Sequence, residues 1–412
     1  MKKRNIRGTL AGVAFLGMLF VATNSTSEAA SANLSDINGH WGKDQVEFAI
    51  QQGFVDGYPD GTFKPDQNVS RVEFMKLVVD ALKFKKNPQT NEWYQPYLDA
   101  GIANGLHVAE EFPSDKLNDP ISREEMARIA VRATGQSNYD AKKWMYLATS
   151  KGIINGMDDA GTLGPDQPTT RAQAVTVIRR IMKIREGASL PTDKYAISSA
   201  EIYWHKTNVL SMLPRYFSKI KQNWSFRDDL LTSSAWDGNV ACSIDQYVVV
   251  DMDDPNDPNR SLVPDDLQVF DPDGFIKEIT GSNYILVSQQ TTHIKSFPKN
   301  TLYISGCYTG IMDRLFDDTG NLKAAGSVYQ TAPLGAYIID QNGRKQFRDP
   351  NDFKVSEGDQ INKTTYTYQI LPKGKLISTN VFPDVFRIGF YGIDANSPVT
   401  VYEGFINKEY SE

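Results

Sequence analysis

Three arginines recur in matching surroundings along the first half of the chain: Arg71, Arg123 and Arg171. Each follows a hydroxyl residue (Ser70, Ser122, Thr170) and stands two positions before Glu73, Glu125 or Gln173. A hydroxyl with Glu or Gln three residues later is a capping box, whose two side chains satisfy orphan amide groups in a helix's first turn. The arginine then takes the first helical position, where the helix dipole disfavours a cation by about 0.3–1 kcal/mol. Neither the cap nor a core stripe requires it there. A guanidinium beside the amide groups of a helix N-terminus makes a charge-assisted clamp for a carboxylate. A salt bridge to an acidic residue of a neighbouring repeat would also compensate the charge, and the residues alone leave both readings open.

Other side chains with binding chemistry fall near these arginines. Trp41 and Trp93 could stack on sugar rings, although tryptophan at repeat spacing is more often core. Asp36, as a lone aspartate, could cap a helix. Gly57 and Gly156 suit a left-handed backbone, a close approach of ligand, or a plain turn. Glu73, Glu125 and Gln173 are accounted for by capping. The run Asp56-x-Tyr58-x-Asp60-Gly61 imitates a calcium loop, but Tyr58 at its third position and Gln67 at its twelfth exclude one.

The elements that must position these groups are visible as repeats. Adding 52 to Trp41, Gly53 and Arg71 gives Trp93, Gly105 and Arg123, and a third copy keeps Gly152 and Arg171 with one extra residue between them. After each arginine comes one apolar stripe at i, i+3, i+4, i+7: Phe74, Leu77, Val78, Ala81; then Met126, Ile129, Ala130, Ala133; then Ala174, Val177, Ile178, Ile181. A second amphipathic segment, such as Val46, Ala49 and Ile50, precedes each glycine. Each copy therefore predicts helix, glycine-rich loop, helix. Units of about 50 residues bury too little alone and should pack into one domain.

The segments Leu34-Ser-Asp36-Ile37-Asn-Gly-His40-Trp41, Gly53 to Asp66 and Ser70-Arg71-Val-Glu73-Phe74 resemble an S-layer-homology repeat. The resemblance covers residues 33 to about 186. It implies an α-helical three-repeat bundle, a pseudo-trimer, whose grooves bind a secondary cell-wall polysaccharide through a pyruvate-ketal carboxylate. It also implies that Asp36, Trp41, Gly57, Arg71, Trp93, Arg123, Gly156 and Arg171 serve those grooves. The later copies depart from the pattern. The second carries Glu111-Phe112-Pro113-Ser114-Asp115 in place of the Gly-Thr loop; the third has Tyr139-Asp140 where tryptophan would stand, and Gln173 for glutamate. One or two working grooves are expected.

Residues 1–32 read as a secretory leader: Lys2, Lys3, Arg4 and Arg7, then the apolar run Thr9 to Ala22, then small residues with cleavage between 29 and 32. That apolar core is too short to span a bilayer, so no membrane insertion is expected after cleavage. Its removal takes the formal charge from −6 to −9. An acidic chain argues against nucleic acid as the partner.

The expected domains are repeats at 33–86, 87–134 and 135–186, a linker at 187–200, and a mainly β unit at 201–412. The β unit, a sandwich or barrel, opens with a helical preface over 200–222 interrupted at Pro214. Tyr366, Tyr368 and Ile370 alternate with polar residues, as do Phe386, Ile388 and Phe390, and turn signals fall at 271–274, 317–320 and 341–343. Asp251, Asp253, Asp254 and Asp257 read as a solvated acidic loop rather than a calcium site. Cys242 and Cys307 either bridge or stay free, and a bridge is the better reading; Cys242 with His293 could otherwise suggest a thiol peptidase. The usual nucleophile, zinc and phosphate motifs are missing, so neither cofactor nor metal is called for. The expected function is non-covalent anchoring to the wall, with a displayed β unit whose partner is unknown; the alternative is an anchored enzyme acting on polysaccharide or peptidoglycan.

Overall fold

All three capping boxes form in the computed structural model, which describes residues 34–88, 92–214, 231–265, 283–296, 352–373 and shorter stretches that include every strand named below. The leader expected at 1–32 and the turn signals at 271–274, 317–320 and 341–343 lie outside, wholly or almost wholly, the described residues. Ser70, Ser122 and Thr170 open helices α2 (Arg71–Ala81), α4 (Arg123–Ala133) and α6 (Arg171–Arg185). Between them lie α1 (Lys43–Gln51), α3 (Gln95–Ala103) and α5 (Trp144–Ser150). Gly53, Gly105 and Gly152 follow these shorter helices with φ of 74°, 69° and 66°, the left-handed turn that glycine accommodates without a Cβ penalty.

Helices pair across the repeats: α2 with α3, α4 with α5, and α6 back with α1. At their centre three backbone hydrogen bonds form a cycle. Val69 N–H donates to Thr169 O, Thr169 N–H to Ile121 O, and Ile121 N–H to Val69 O, each at 2.9 Å. The predicted stripes face a single core, in which Phe74, Met126, Ile129, Ala174 and Ile178 are completely buried.

The stretch read as a linker is half helix. Asp193 caps α7 (Lys194–His205), its Oδ1 accepting from Tyr195 N and Ala196 N at 3.0 Å. The helix expected over 200–222 also differs. Lys206 turns left-handed (φ 62°) and ends α7, and a single turn, α8 (Val209–Met212), follows before Pro214. Buried polar groups reward that break. Glu201, fully buried, accepts from Leu210 N at 2.8 Å and Ser211 N at 2.7 Å. Asn208 donates to Ser198 Oγ and Val249 O, and accepts from Val249 N.

Beyond α8 the chain forms antiparallel sheets. Seven strands run in the order 232–235, 240–251, 283–294, 361–372, 330–332, 268–270, 276–277. A second sheet orders 219–220, 399–405, 385–391, 308–311. One core draws on both: Val249, Leu286 and Leu371 from the first, Phe386, Ile388 and Val401 from the second. Val248, Val250, Ile285 and Val287 point to the opposite face and pack with Tyr368 and Ile202 of α7. Cys242 and Cys307 are joined, with Cα atoms 5.9 Å apart. Cys242 is buried whereas His293, paired with its neighbour Ala241, is exposed on the other face of the sheet, so the two do not form a thiol–imidazole pair.

Two outcomes follow for stability. Replacing both cysteines by alanine should cost about 2–4 kcal/mol in denaturant unfolding of the β region. Burial pushes Glu201 from its ordinary 4.5 to about 7. A raised folded pKa favours the protonated native state, so this stability is present below pH 4.5 and lost as pH rises through 7. The loss amounts to about 3 kcal/mol. Thermal melts of Glu201→Gln should therefore lack most of the wild-type decline between pH 5 and 8; equal slopes would show that Glu201 does not titrate there.

Candidate polysaccharide-binding groove

The amide groups at the helix N-termini are already used. Arg71 N–H donates to Asp119 O, Arg123 N–H to Gln167 O, and Arg171 N–H to Gln67 O. The next amide in each helix donates to Leu117 O, Pro165 O or Pro65 O of the same loops. No free amide cluster awaits an anion at these ends, which corrects that part of the sequence reading. The guanidinium groups remain, and the structure sorts them.

Arg71 is neutralised. Its Nε and Nη2 both lie 2.9 Å from Glu125 Oε1, and Nη1 donates to Lys116 O at 2.9 Å. Glu125 keeps its capping role through Oε2, which accepts from Ser122 N at 2.9 Å. The arginines further along α4 are also paired: Glu111 meets Arg132 at 2.6 Å and Arg128 at 3.5 Å. Thus the loop where the second copy departs from the pattern supplies a carboxylate that pairs with that copy's own arginines.

Arg123 and Arg171 are different. Arg123 is 6% exposed and donates from Nε to Leu163 O at 2.8 Å and from Nη2 to Asn155 O at 3.0 Å. Arg171 donates to Phe63 O and lies over the rings of Phe63 and Tyr58. Among the described residues neither has a carboxylate within ion-pair distance. The residue that answers to Glu125 beside Arg123 is Gln173, which keeps the cap but brings no charge.

Arg123 lines a cavity of about 380 Å³ together with Trp41, Asn155, Gly156, Gln173, Thr176 and Arg180. Its lining contains no Asp or Glu. Arg180 donates to Ile153 O at 3.1 Å, and burial pulls both arginines below their ordinary value while leaving them cationic. Trp41 is 61% exposed, so it is not core. The cavity size falls within the range of about 300–1,000 Å³ typical of small-ligand sites.

Of the expected residues, Trp41, Arg123 and Gly156 therefore meet in one place. The others are elsewhere. Trp93 is 43% exposed and contacts Tyr94 and Tyr97 edge-on. Asp36 spends both oxygens on Phe63 N (2.8 Å) and Lys64 N (2.7 Å), stapling its own loop. Gly57 and Gly156 are not left-handed: a Cβ on Gly57 would fall 2.7 Å from Leu34 Cδ2, and one on Gly156 2.5 Å from Gly161 Cα. The close approach they permit is to the chain itself. Arg180 was not anticipated, although Gln173, Thr176 and Arg180 make a polar stripe at i, i+3, i+7 that marks it.

Residues 33–75 and 140–175 match the S-layer homology domain, covering the first and third copies. The chain carries that domain. The match includes Trp41, Gly156 and Gln173, while Arg123 lies in the intervening copy. Similar proteins include an exoglucanase of Acetivibrio thermocellus, 27% identical over 37% of this chain and 16% of its own length. A surface-layer 125 kDa protein of Lysinibacillus sphaericus is 25% identical over 44% of this chain and 17% of that protein. A cellulosome-anchoring protein of A. thermocellus is 29% identical over 37% of this chain and 39% of that protein. The chain thus spans well under half the length of each. Among the described residues no helix is long and apolar enough to cross a membrane.

The acidic run of the β region is not a solvated loop. Asp251 and Asp257 are buried; Lys373 bridges Asp251 and Asp253, and Lys194 reaches Asp251 at 3.2 Å. Burial pushes Asp251 up, but the two lysines hold it below its ordinary value. Among the described residues no acidic or histidine cluster could hold a metal.

The S-layer homology region makes its own stability prediction. Arg71→Ala leaves Glu125 unpaired and should cost about 1–3 kcal/mol in chemical unfolding. Wall binding by the folded fraction should be unchanged; loss of binding at unaltered stability would place Arg71 in a working groove instead.

Proposed function

We propose that residues 33–186 form a three-repeat pseudo-trimer that holds the protein non-covalently to an acidic secondary cell-wall polysaccharide. The cavity at Arg123 is the main seat. The observation that carries this reading is a carboxylate-free lining with one buried guanidinium (Arg123), one half-buried guanidinium (Arg180) and an exposed indole at its edge. Arg123 and Arg180 suit a carboxylate such as a pyruvate ketal, fixed by bonds stronger than those between neutral groups. Trp41 offers a face for the sugar ring. Thr176 and Gln173 supply neutral hydrogen-bonding groups beside it.

The groove containing Arg71 is self-neutralised and takes no acidic sugar. Arg171, with Tyr58 beside it, marks a weaker second seat. The relatives described as surface-layer and cellulosome-anchoring proteins support a secreted, wall-attached location. In this reading the β region is a two-sheet sandwich displayed at the cell surface.

Gln173→Glu tests the seat without disturbing the fold, since glutamate completes the same cap in the other two repeats. The new carboxylate should pair with Arg123 as Glu125 pairs with Arg71. Affinity for purified pyruvylated wall polymer should fall on the order of tenfold, equivalent to about 1.4 kcal/mol, at unchanged melting temperature. Binding equal to wild type would remove the cavity as the anion seat.

A further inference from the structure

We propose that the wall-binding unit extends past the third repeat, and that Asp193 is a positioning residue for the cavity. This rests on the cavity being the carboxylate seat. The loop at 153–156 holds both cations, through Ile153 O to Arg180 and Asn155 O to Arg123. That loop is itself held from outside the repeats: Gly156 N donates to Asp193 Oδ2 at 3.0 Å. The segment carrying Asp193 lies against the loop along its length. A Cβ on Gly152 would fall 2.5 Å from Pro191 O, and one on Gly161 2.3 Å from the Tyr195 carbonyl carbon.

The two oxygens of Asp193 have separate tasks. Oδ1 caps α7 through Tyr195 N and Ala196 N, while Oδ2 holds the loop. In the first repeat an aspartate that precedes the loop in sequence, Asp36, holds its later part instead, at Phe63 N and Lys64 N. In the third, the staple follows. A guanidinium anchored to a fixed carbonyl is aimed before the ligand arrives; one anchored to a loose loop must be ordered on binding, which weakens affinity.

Asn is as good a helix cap as Asp, so Asp193→Asn separates the two tasks. Its Oδ1 still caps α7, but its Nδ2 hydrogens meet the Gly156 N–H head-on. In the full chain, Asp193→Asn should melt as wild type, exchange the Gly156 amide proton faster, and bind pyruvylated wall polymer about fivefold to tenfold more weakly. Polymer stripped of its pyruvate should bind the variant and wild type alike, so selectivity falls while residual affinity does not. A purely structural role would lower both.

Gln173→Glu is measured alongside. If it weakens binding and Asp193→Asn does not, the positioning role is wrong while the cavity stands. If neither weakens binding, the cavity reading fails and takes this inference with it. Should the Asn variant not fold, Asp193→Ser, whose hydroxyl caps but is too short to reach Gly156, puts the same question; wild-type affinity in it overturns the proposal.

Discussion

Each long helix of the N-terminal region begins against the loop of another repeat, and the rest of the architecture follows from that capture. The first two amide groups of α2 bond to loop carbonyls of the second repeat, those of α4 to the third, and those of α6 to the first. The third amide is held by the helix's own hydroxyl cap. Buried amide groups left without partners would be costly, so no repeat can satisfy its helix start alone. The cycle through Val69, Ile121 and Thr169 closes the same arrangement at the centre.

Within that nearly symmetric frame, chemistry is assigned by single departures. Glutamate at 125 cancels Arg71, and Glu111 pairs closely with Arg132 and more loosely with Arg128. Glutamine at 173 cancels nothing. With an amide at 173, Arg123 lines its cavity with no carboxylate in ion-pair distance among the described residues. The departures that look like decay of a repeat are what make its grooves unequal.

Local rules made much of this legible. The capping boxes and the i, i+3, i+4, i+7 stripes were readable because their partners lie within one or two turns. The alternation at 385–391 identified a buried strand for the same reason. The strand at 361–372 was found too, and its facing in part: Tyr368 is buried and packs near Ile370, whereas Thr365 is buried and bonded to Gln290 and Tyr366 is exposed. Which arginine would find a carboxylate depended on contacts 54 residues away and had no local signature. Helix α7 was missed because its cap, Asp193, followed a Gly- and Pro-bearing stretch that reads as linker. Its start is held by Gly156 and Asp251, neither of them near it in sequence.

The pairing of α6 with α1 has a consequence for the order of assembly. A chain made from its N-terminus presents Lys43–Gln51 long before Arg171–Arg185 exists. Helix α1 must wait for α6, and contacts of such long sequence separation form slowly. Until the third repeat emerges, the earlier two lack a closed ring and stay open to unfolding. A chain that cannot lock itself shut before Arg185 has emerged remains threadable through a narrow channel over that length.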